Sequence, residues 1–454
     1  MLQQKTNYSM ANPPTKTFPN ATCTFCGCLC DDIELSVTNN TITRAKNACV
    51  LGKKWFLNSR PQDLPPAFID QQAATVEAAI ERAANILANA RCPIIYGLSD
   101  TSCEAQQTAL ALADRIGACV DTTASACHAP STMALQNIGE ATCSLGEVKN
   151  RADLVIFWGS DPLESHPRHW GRYSATPRGL FQPRGAEGRT IVVVDIRESQ
   201  SAKAADIFLK VNPAKDFEAL WILRGLVKGL TFTESDVEET GIPLQALQDL
   251  AKRMRECKFG MFFFGMGLAL TGGRYMNVEA AFLLVRDLNA YTRFYAKPMR
   301  GRGNITGVDN VLCWQTGYPF AVSLQRGYPR YGPGEFTTVE MLEAGEADAA
   351  LIVGADILPI LPESARQNLE RIPFIVVDTI ETPSFQQAAV AFRTATYGIN
   401  TPGTAYRMDD IPLSLSPVNQ SAYPADEAVF HALEARVRTL QSEPLGRPSQ
   451  GRGE

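Results

Sequence analysis

The chain has 454 residues, of which 45% are hydrophobic and 20% charged, and its formal net charge is −5. This balance indicates a globular protein of two or three domains and gives no reason to expect nucleic acid or an anionic membrane as a partner. No segment reaches about 18 consecutive apolar residues, so we expect no membrane span. Residues 1–20 are polar and lack the apolar core of a signal peptide, which predicts a flexible tail and a cytoplasmic protein.

A cysteine-rich segment follows this tail. Among the chain's 12 cysteines, Cys23, Cys26, Cys28 and Cys30 lie close together, and Cys49 follows at a distance. In a large chain without a signal peptide, such a group is more often metal-binding than disulfide-bonded. The spacing of Cys23, Cys26 and Cys30, with Cys49 as a remote fourth ligand, predicts a [4Fe–4S] cluster.

The residues between the cysteines predict how Cys49 reaches the others. Residues 32–37 and 41–44 alternate in a strand pattern around Asn39 and Asn40, which indicates a hairpin. Cys28 is the spare cysteine, and it could replace Cys30 as a ligand. A structural zinc site is the alternative, although zinc usually prefers two Cys-x2-Cys pairs and the segment has one.

Short apolar runs and helical patterns alternate in the rest of the chain. Thr75 can cap a helix, and another helix is predicted over residues 103–116. Strands buried on both faces are predicted at residues 93–97, 154–158, 191–194, 261–264, 350–353 and 374–377. Their alternation with helices predicts βαβ units, parallel sheets and an α/β fold.

An internal repeat suggests two related α/β domains. Each copy is a buried strand, a Gly-x-Asp loop, a crossover, a second strand and an aspartate. The residues concerned are Gly159, Asp161 and Asp195 in the first copy, and Gly354, Asp356 and Asp378 in the second. Loops at the carboxyl ends of parallel strands bind nucleotides, and an aspartate there suits a ribose or a guanine edge. The alternative is that Gly and Asp end strands because they form turns.

The cysteine segment and several later motifs resemble the B subunit of formylmethanofuran dehydrogenases, within the molybdopterin oxidoreductase family. The resemblance runs from about residue 22 to residue 415. Beyond the cysteines it is carried by residues 123–128, 146–153, 166–169, 264–267, 298–307, 317–319 and 403–407.

The resemblance implies a molybdopterin-oxidoreductase-like fold without the C-terminal β-barrel domain, which a separate subunit supplies in this family. The expected parts are a disordered tail (1–20), an iron–sulfur subdomain (21–66), a discontinuous α/β domain (67–126 with 298–440), a second α/β domain (127–297) and a flexible tail (441–454).

The resemblance also implies roles for single residues. Cys127 aligns with the cysteine that ligates molybdenum or tungsten, and His128 would lie beside the metal as a proton-transfer group or hydrogen-bond donor. Arg300 would hold a carboxylate or an anion derived from carbon dioxide. Two pterin guanine dinucleotides would bind the metal, one in each α/β domain. The predicted cofactor-binding residues are Gly159, Asp161, His166, Arg168, Asp195, Gly265, Gly267, Asn304, Asp356, Gly403 and Thr404.

Structural explanations stay open for these residues. Cys127 could be a buried core cysteine, Arg300 a surface arginine, and Gly265 with Gly267 only a turn. Three of the chain's four histidines fall within residues 128–169, which suggests a site. Residues 398–402 lack the acidic side chains that the family usually carries there, which leaves contacts to one pterin open.

The leading hypothesis is a catalytic subunit in which a cluster feeds electrons to a molybdenum or tungsten pterin centre that interconverts carbon dioxide and formate. The expected partners are an amidohydrolase-like A subunit, a C-like subunit, a β-barrel D-like subunit and an electron carrier protein. The alternative is a non-redox structural subunit of a formyltransferase/hydrolase complex that handles formyl groups on tetrahydromethanopterin. A zinc-stabilised α/β binding protein is a third possibility, but it leaves Cys127 and the repeat unexplained.

Overall fold

The computed structural model describes residues 14–59 and 63–442. Its strands, numbered in chain order within these residues, are β1 (Lys16–Ala21), β2 (Ile33–Thr38), β3 (Thr41–Lys46), β4 (Ala67–Ile69), β5 (Gln72–Ala74), β6 (Pro93–Gly97), β7 (Cys119–Thr122), β8 (Leu154–Trp158), β9 (Thr190–Asp195), β10 (Ile207–Lys210), β11 (Phe259–Phe264), β12 (Arg293–Pro298), β13 (Val322–Ser323), β14 (Arg330–Tyr331), β15 (Ala349–Val353), β16 (Phe374–Asp378), β17 (Val390–Arg393), β18 (Gly403–Tyr406) and β19 (Pro412–Leu415).

The α-helices are numbered in the same way. They are α1 (Val50–Asn58), α2 (Val76–Asn89), α3 (Cys103–Ile116), α4 (Thr123–Cys127), α5 (Ala129–Ile138), α6 (Leu145–Arg151), α7 (Pro162–Ser165), α8 (Pro167–His169), α9 (Gln200–Ala204), α10 (Asp216–Val227), α11 (Glu234–Val237), α12 (Leu244–Glu256), α13 (Met266–Ala269), α14 (Tyr275–Leu288), α15 (Ile305–Thr316), α16 (Thr338–Glu343), α17 (Glu363–Leu369), α18 (Pro383–Gln387) and α19 (Asp426–Ser442). In these described ranges no helix is long and apolar enough to cross a membrane.

Strands β1, β2 and β3 form an antiparallel sheet beside the cysteines. Asn39 and Asn40 both have positive φ, 48° and 58°, which is the backbone of a two-residue hairpin turn. The predicted hairpin is therefore confirmed, and helix α1 begins directly after Cys49.

The predicted tails need one correction. A flexible tail over residues 1–20 is wrong for its last five residues, because Lys16–Ala21 pairs with the edge of β2 and Phe18 packs against the core. Residues 1–13 lie outside the described part of the chain. Of the predicted tail 441–454, Gln441 and Ser442 end helix α19, and the rest lies outside the described residues.

Two larger sheets form the α/β body of the described chain. One is parallel, in the order β10-β9-β8-β11-β12, and the other has the order β14-β13-β7-β6-β15-β16-β17-β4-β5. The second sheet is parallel from β7 to β17 and antiparallel toward both edges. The α/β fold with parallel sheets is confirmed, whereas the boundaries of the domains stay a prediction.

The all-apolar strands are buried on both faces because helices cover both faces of each sheet. In β8, Leu154, Ile156 and Trp158 pack into one hydrophobic cluster, whereas Val155 and Phe157 pack into another. Side chains alternate between the faces of a strand, so a strand in this position must be apolar at every residue. The same alternation divides β15 between two clusters.

The two halves of the repeat have matching hydrogen bonds. Asp161 Oδ1 accepts hydrogen bonds from the backbone N–H and the hydroxyl of Ser201, at 3.2 and 2.5 Å. Asp356 Oδ1 accepts the same pair from Ser384, at 3.1 and 2.6 Å. Each aspartate therefore joins the loop after one strand to the first turn of the helix that follows the next strand.

The second aspartate of each copy also has an equivalent role. Asp195 Oδ1 accepts a hydrogen bond from the N–H of Arg197, and Asp378 Oδ1 accepts one from the N–H of Ile380, both at 3.2 Å. The prediction of two related domains is thus confirmed at the level of single hydrogen bonds. The turn-forming explanation accounts for these contacts, and a ribose or guanine contact at either aspartate stays a prediction.

Replacing Asp378 with asparagine is expected to stabilise the chain more at pH 8 than at pH 5. Burial, with the nearby carboxylates of Asp100 and Asp426, raises the pKa of Asp378 to about 7. The folded state therefore disfavours the charged carboxylate of Asp378. The free energy of unfolding falls as pH rises from the pKa of this group in the unfolded chain to about 7, by at most about 1.4 kcal/mol per pH unit. Asparagine keeps the acceptor for Ile380 but carries no charge.

Thermal unfolding of the wild type and of Asp378→Asn at the two pH values checks this expectation. The stability advantage of the variant should grow between pH 5 and pH 7 and then level off. An advantage of equal size at pH 5 and pH 8 would contradict it.

Candidate functional site

A cavity beside the N-terminal sheet is lined by cysteines. Within the described residues these are Cys23, Cys26, Cys28, Cys30 and Cys49. The N–H of Cys23 donates to the carbonyl of Cys30 at 2.9 Å, which closes the loop that carries the first four. Cys49 precedes helix α1, and its Sγ accepts a hydrogen bond from the N–H of Gly52 at 3.3 Å. A Cβ added to Gly52 would lie 3.2 Å from the Sγ of Cys23 and 3.8 Å from that of Cys49, so these sulfurs flank one helical turn.

The cysteine cavity is apolar at the thiols and cationic at one wall. Burial raises the pKa of Cys30 to about 11, while the charges of Arg168 and Arg172 act in the opposite direction. Arg168 donates two hydrogen bonds to Asp32, at 2.5 and 2.6 Å, and Arg172 donates one to Asp31 at 2.6 Å. Coordination to a metal would offset the cost of burying the thiolates.

The arrangement of the thiols bears on the zinc alternative. A single zinc ion needs four ligand atoms at about 2.0 to 2.3 Å. Across residues 14–59 and 63–442, no group of three or more His, Cys, Asp or Glu side chains is close enough together to hold one metal ion. The cysteines instead surround a cavity, and soft thiol donors around a cavity fit an iron–sulfur cluster.

Cys127 and His128 lie at the junction of two helices after strand β7. The side chain of Thr122 caps helix α4, which ends at Cys127, and the Sγ of Cys127 donates to the carbonyl of Thr123 at 3.3 Å. Cys127 is half-buried and belongs to no hydrophobic core cluster of the described residues. Burial raises the pKa of its thiol to about 12, and the nearby positive charge of Arg300 acts in the opposite direction.

His128 is neutral in this environment. It is 1% exposed, and burial together with the charge of Arg300 lowers the pKa of its imidazole to about 3. Its Nδ1 lies 3.3 Å from the hydroxyl of Ser131, which orients the ring. A neutral imidazole donates a hydrogen bond from one nitrogen and accepts one at the other, so His128 can offer a donor or an acceptor without carrying a positive charge.

Arg300 is held by a partner that the sequence reasoning missed. Its side chain is 13% exposed, so the surface-arginine alternative is wrong, and its guanidinium donates to the Asp309 carboxylate. The Oδ1 of Asp309 is buried without a hydrogen-bond partner, and burial raises the pKa of this carboxyl against the effect of Arg300. The one feature of the sequence that could have indicated Asp309 is that it is the single carboxylate of helix α15.

The predicted cofactor-binding residues do not all lie at the cysteine cavity. His166 and Arg168 line the cysteine cavity. By contrast, a Cβ added to Gly159 would lie 2.5 Å from the backbone nitrogen of Leu268, and one added to Gly267 would lie 2.7 Å from the carbonyl of Gly159. Glycine is therefore required in the loop after β8 and in the loop after β11, because these two loops touch. Gly265, in the second loop, also lies within hydrogen-bond distance of the β8 backbone.

Gly403 and Thr404 begin strand β18, and Asn304 bonds to the same strand. Asn304 is fully buried, donates to the carbonyl of Thr101 and accepts from the N–H of Tyr406, both at 2.8 Å. The hydroxyl of Thr404 donates to Glu104 at 2.8 Å. These contacts give Asn304 and Thr404 structural roles, and any contact of the three residues with a pterin stays a prediction.

No family model matches the sequence. The B subunit of the tungsten-containing formylmethanofuran dehydrogenase 2 of Methanocaldococcus jannaschii is 43% identical to this chain over 410 residues, with 89% of this chain and 94% of the relative covered. The chain belongs to the family of formylmethanofuran dehydrogenase B subunits. The predicted class, an oxidoreductase subunit of a multisubunit complex, is confirmed by this membership.

A second relative is less similar in sequence to this chain. The B subunit of the formyltransferase/hydrolase complex of Methylorubrum extorquens is 27% identical over 296 residues, with 63% of this chain and 73% of the relative covered. A crystal structure of that organism's formyltransferase/hydrolase complex with methylofuran contains a chain that matches at a TM-score of 0.68 and 23% identity, with 83% of this chain and 99% of that chain covered. This structural match supports the fold alone.

Proposed function

We propose that this chain is the catalytic B subunit of a formylmethanofuran dehydrogenase-type complex, and that it interconverts carbon dioxide and a formate or formyl group. The observation that carries the proposal is that the charge of Arg300 acts on both Cys127 and His128, while its carbonyl bonds to His166 in the wall of a cavity lined by five cysteines of the described chain. The 43% identity with a relative named as tungsten-containing supports a redox metal in this chain as well.

Two cofactors are proposed. A [4Fe–4S] cluster would be held by Cys23, Cys26, Cys30 and Cys49, with Cys28 as the fifth cysteine at the same cavity. A molybdenum or tungsten pterin guanine dinucleotide centre would be held by Cys127, whose soft sulfur suits such a metal. The residues around Cys127 fit this second group, because the Oδ1 of Asp309, whose charge acts on the Cys127 thiol, is buried without a hydrogen-bond partner.

The bound metal and pterins would supply the two-electron chemistry, and the chain would supply binding and orientation. The Arg300 guanidinium, oriented by Asp309, offers a planar cation that can hold the two oxygens of a carboxylate. Neutral His128 offers a hydrogen-bond donor or acceptor beside it. Burial of both groups excludes water and strengthens their interactions with charge that develops on the substrate.

The proposed partners follow from the family. They are an amidohydrolase-like A subunit that condenses formate with the carrier amine, a C-like subunit, a β-barrel D-like subunit and an electron carrier protein. The second candidate function is the structural role in a formyltransferase/hydrolase complex, which the 27% identity with the Methylorubrum extorquens relative supports. The retained Cys127 and the higher identity to the tungsten-containing relative favour the redox role.

An activity assay separates these two functions. The anaerobically purified complex is given formate and a viologen dye as artificial electron acceptor. The redox proposal expects dye reduction that depends on formate. A complex that transfers or hydrolyses formyl groups but does not reduce the dye with formate would support the structural role instead.

A further inference from the structure

One backbone carbonyl lies between the two cysteine sites. His166 lines the cysteine cavity, and its Nε2 lies 2.8 Å from the carbonyl oxygen of Arg300. The positive charge of the same Arg300 lies close enough to Cys127 to oppose the rise in the pKa of its thiol, and its guanidinium pairs with Asp309. Because a carbonyl oxygen can only accept, Nε2 must carry the hydrogen and donate it.

The other ring nitrogen is consistent with this tautomer. Nδ1 of His166 lies 2.8 Å from the hydroxyl of Ser165, whose single hydrogen can go either to Nδ1 or to the carbonyl of Asp161, also 2.8 Å away. Burial lowers the pKa of His166, which favours the neutral ring, and the residue is 2% exposed. The imidazole lines the cavity and is held at Nε2 by the Arg300 carbonyl, with the Ser165 hydroxyl beside Nδ1.

The cysteine loop reaches the same carbonyl directly. A Cβ added to Gly27 would lie 2.6 Å from the carbonyl oxygen of Arg300, so only glycine permits this approach. The carbonyl of Gly27 accepts a hydrogen bond from the N–H of Met408 at 2.9 Å, which also holds the loop in place. The Arg300 peptide is thus enclosed by the cysteine loop on one side and His166 on another.

We propose that His166 is a positioning residue that couples the cysteine cavity to the active site by holding the Arg300 peptide through its Nε2–H. The inference rests on the proposed function. Loss of the hydrogen bond frees the Arg300 backbone, so the guanidinium is less well placed for a carboxylate. Loss of the ring also changes the wall of the cavity, which alters the polarity around a bound cluster and hence its reduction potential.

The test compares His166→Ala and His166→Gln in the whole complex, with His169→Gln as the matched control. Glutamine can still donate to the Arg300 carbonyl from its amide, whereas alanine cannot. His169 is an equally buried histidine nearby, but it bonds to Ser174 and packs between Phe157 and Phe263. The readouts are iron content, the midpoint potential of the cluster by electron paramagnetic resonance, and KM and kcat for formate oxidation.

We expect His166→Ala to keep its iron, to displace the midpoint potential and to raise KM for formate about tenfold, as the loss of one hydrogen bond would. His166→Gln should recover most of the KM, and His169→Gln should keep both the wild-type potential and the wild-type KM. Equal losses in His166→Ala and His166→Gln, or a wild-type potential and KM in His166→Ala, would overturn the inference. If the wild-type complex does not oxidise formate, the proposed function fails, whereas the potential still tests the His166 contact with the cavity.

Discussion

Replacement of Cys127 by alanine is expected to abolish formate oxidation and to remove molybdenum or tungsten while the iron content stays unchanged. Cys127 would be the protein's ligand to that metal, so alanine leaves the metal without a covalent link to the chain. The thiol donates to the Thr123 carbonyl within the same short helix, and alanine is a good helix former. The fold and the cysteine cavity, which Cys127 does not line, should therefore survive.

The measurement is metal content by mass spectrometry together with formate-dependent dye reduction. Cys313→Ala is the control, because Cys313 is an exposed cysteine on helix α15 outside the cysteine cavity. It should keep wild-type activity and metal. Retention of metal and activity by Cys127→Ala would show that Cys127 is not the metal ligand.

Arg300→Lys is expected to lower kcat/KM for formate by about 100- to 1000-fold, the size of effect seen when one electrostatic contact to the reacting anion is lost. Lysine is a point charge and cannot present two parallel N–H groups to a carboxylate. It also cannot reproduce the guanidinium geometry toward Asp309, whose second oxygen is already without a hydrogen-bond partner. The substitution therefore affects both substrate binding and the buried ion pair.

Arg302→Lys is the matched control for this prediction. Arg302 lies two residues away in the same loop, its side chain is 68% exposed, and it pairs with Asp100 at 3.3 Å. Exposed ion pairs contribute little, so kcat/KM should change less than about threefold. Losses of similar size in the two variants would mean that Arg300 acts only as part of the loop.

The strands and the cysteine cavity were predictable because their signals are local. All-apolar runs bounded by turn residues predicted β6, β8, β15 and β16, and Asn39 with Asn40 predicted the hairpin. The cysteine spacing predicted that Cys23, Cys26, Cys30 and Cys49 share one site, and the structure places them around one cavity. The strand β1 was missed because its sequence is polar and contains Pro19, and its pairing depends on the edge of β2.

The contacts of Arg300 and of the glycine loops were not predictable in the same way. Asp309 lies on helix α15, which directly follows the loop that carries Arg300, and a single aspartate has no spacing pattern that predicts the pair. The role of Gly265 and Gly267 was also hidden, since a Gly-x-Gly after a strand suits a ligand or a loop contact equally. In the structure these glycines meet the loop of Gly159.

The metal content of the anaerobically purified complex tests the central claim most directly. We expect about four iron atoms and one molybdenum or tungsten atom per copy of this chain, as one [4Fe–4S] cluster and one pterin-bound metal require. Iron without molybdenum or tungsten would contradict a catalytic redox role for this chain. Zinc alone would contradict both the cluster and the redox centre.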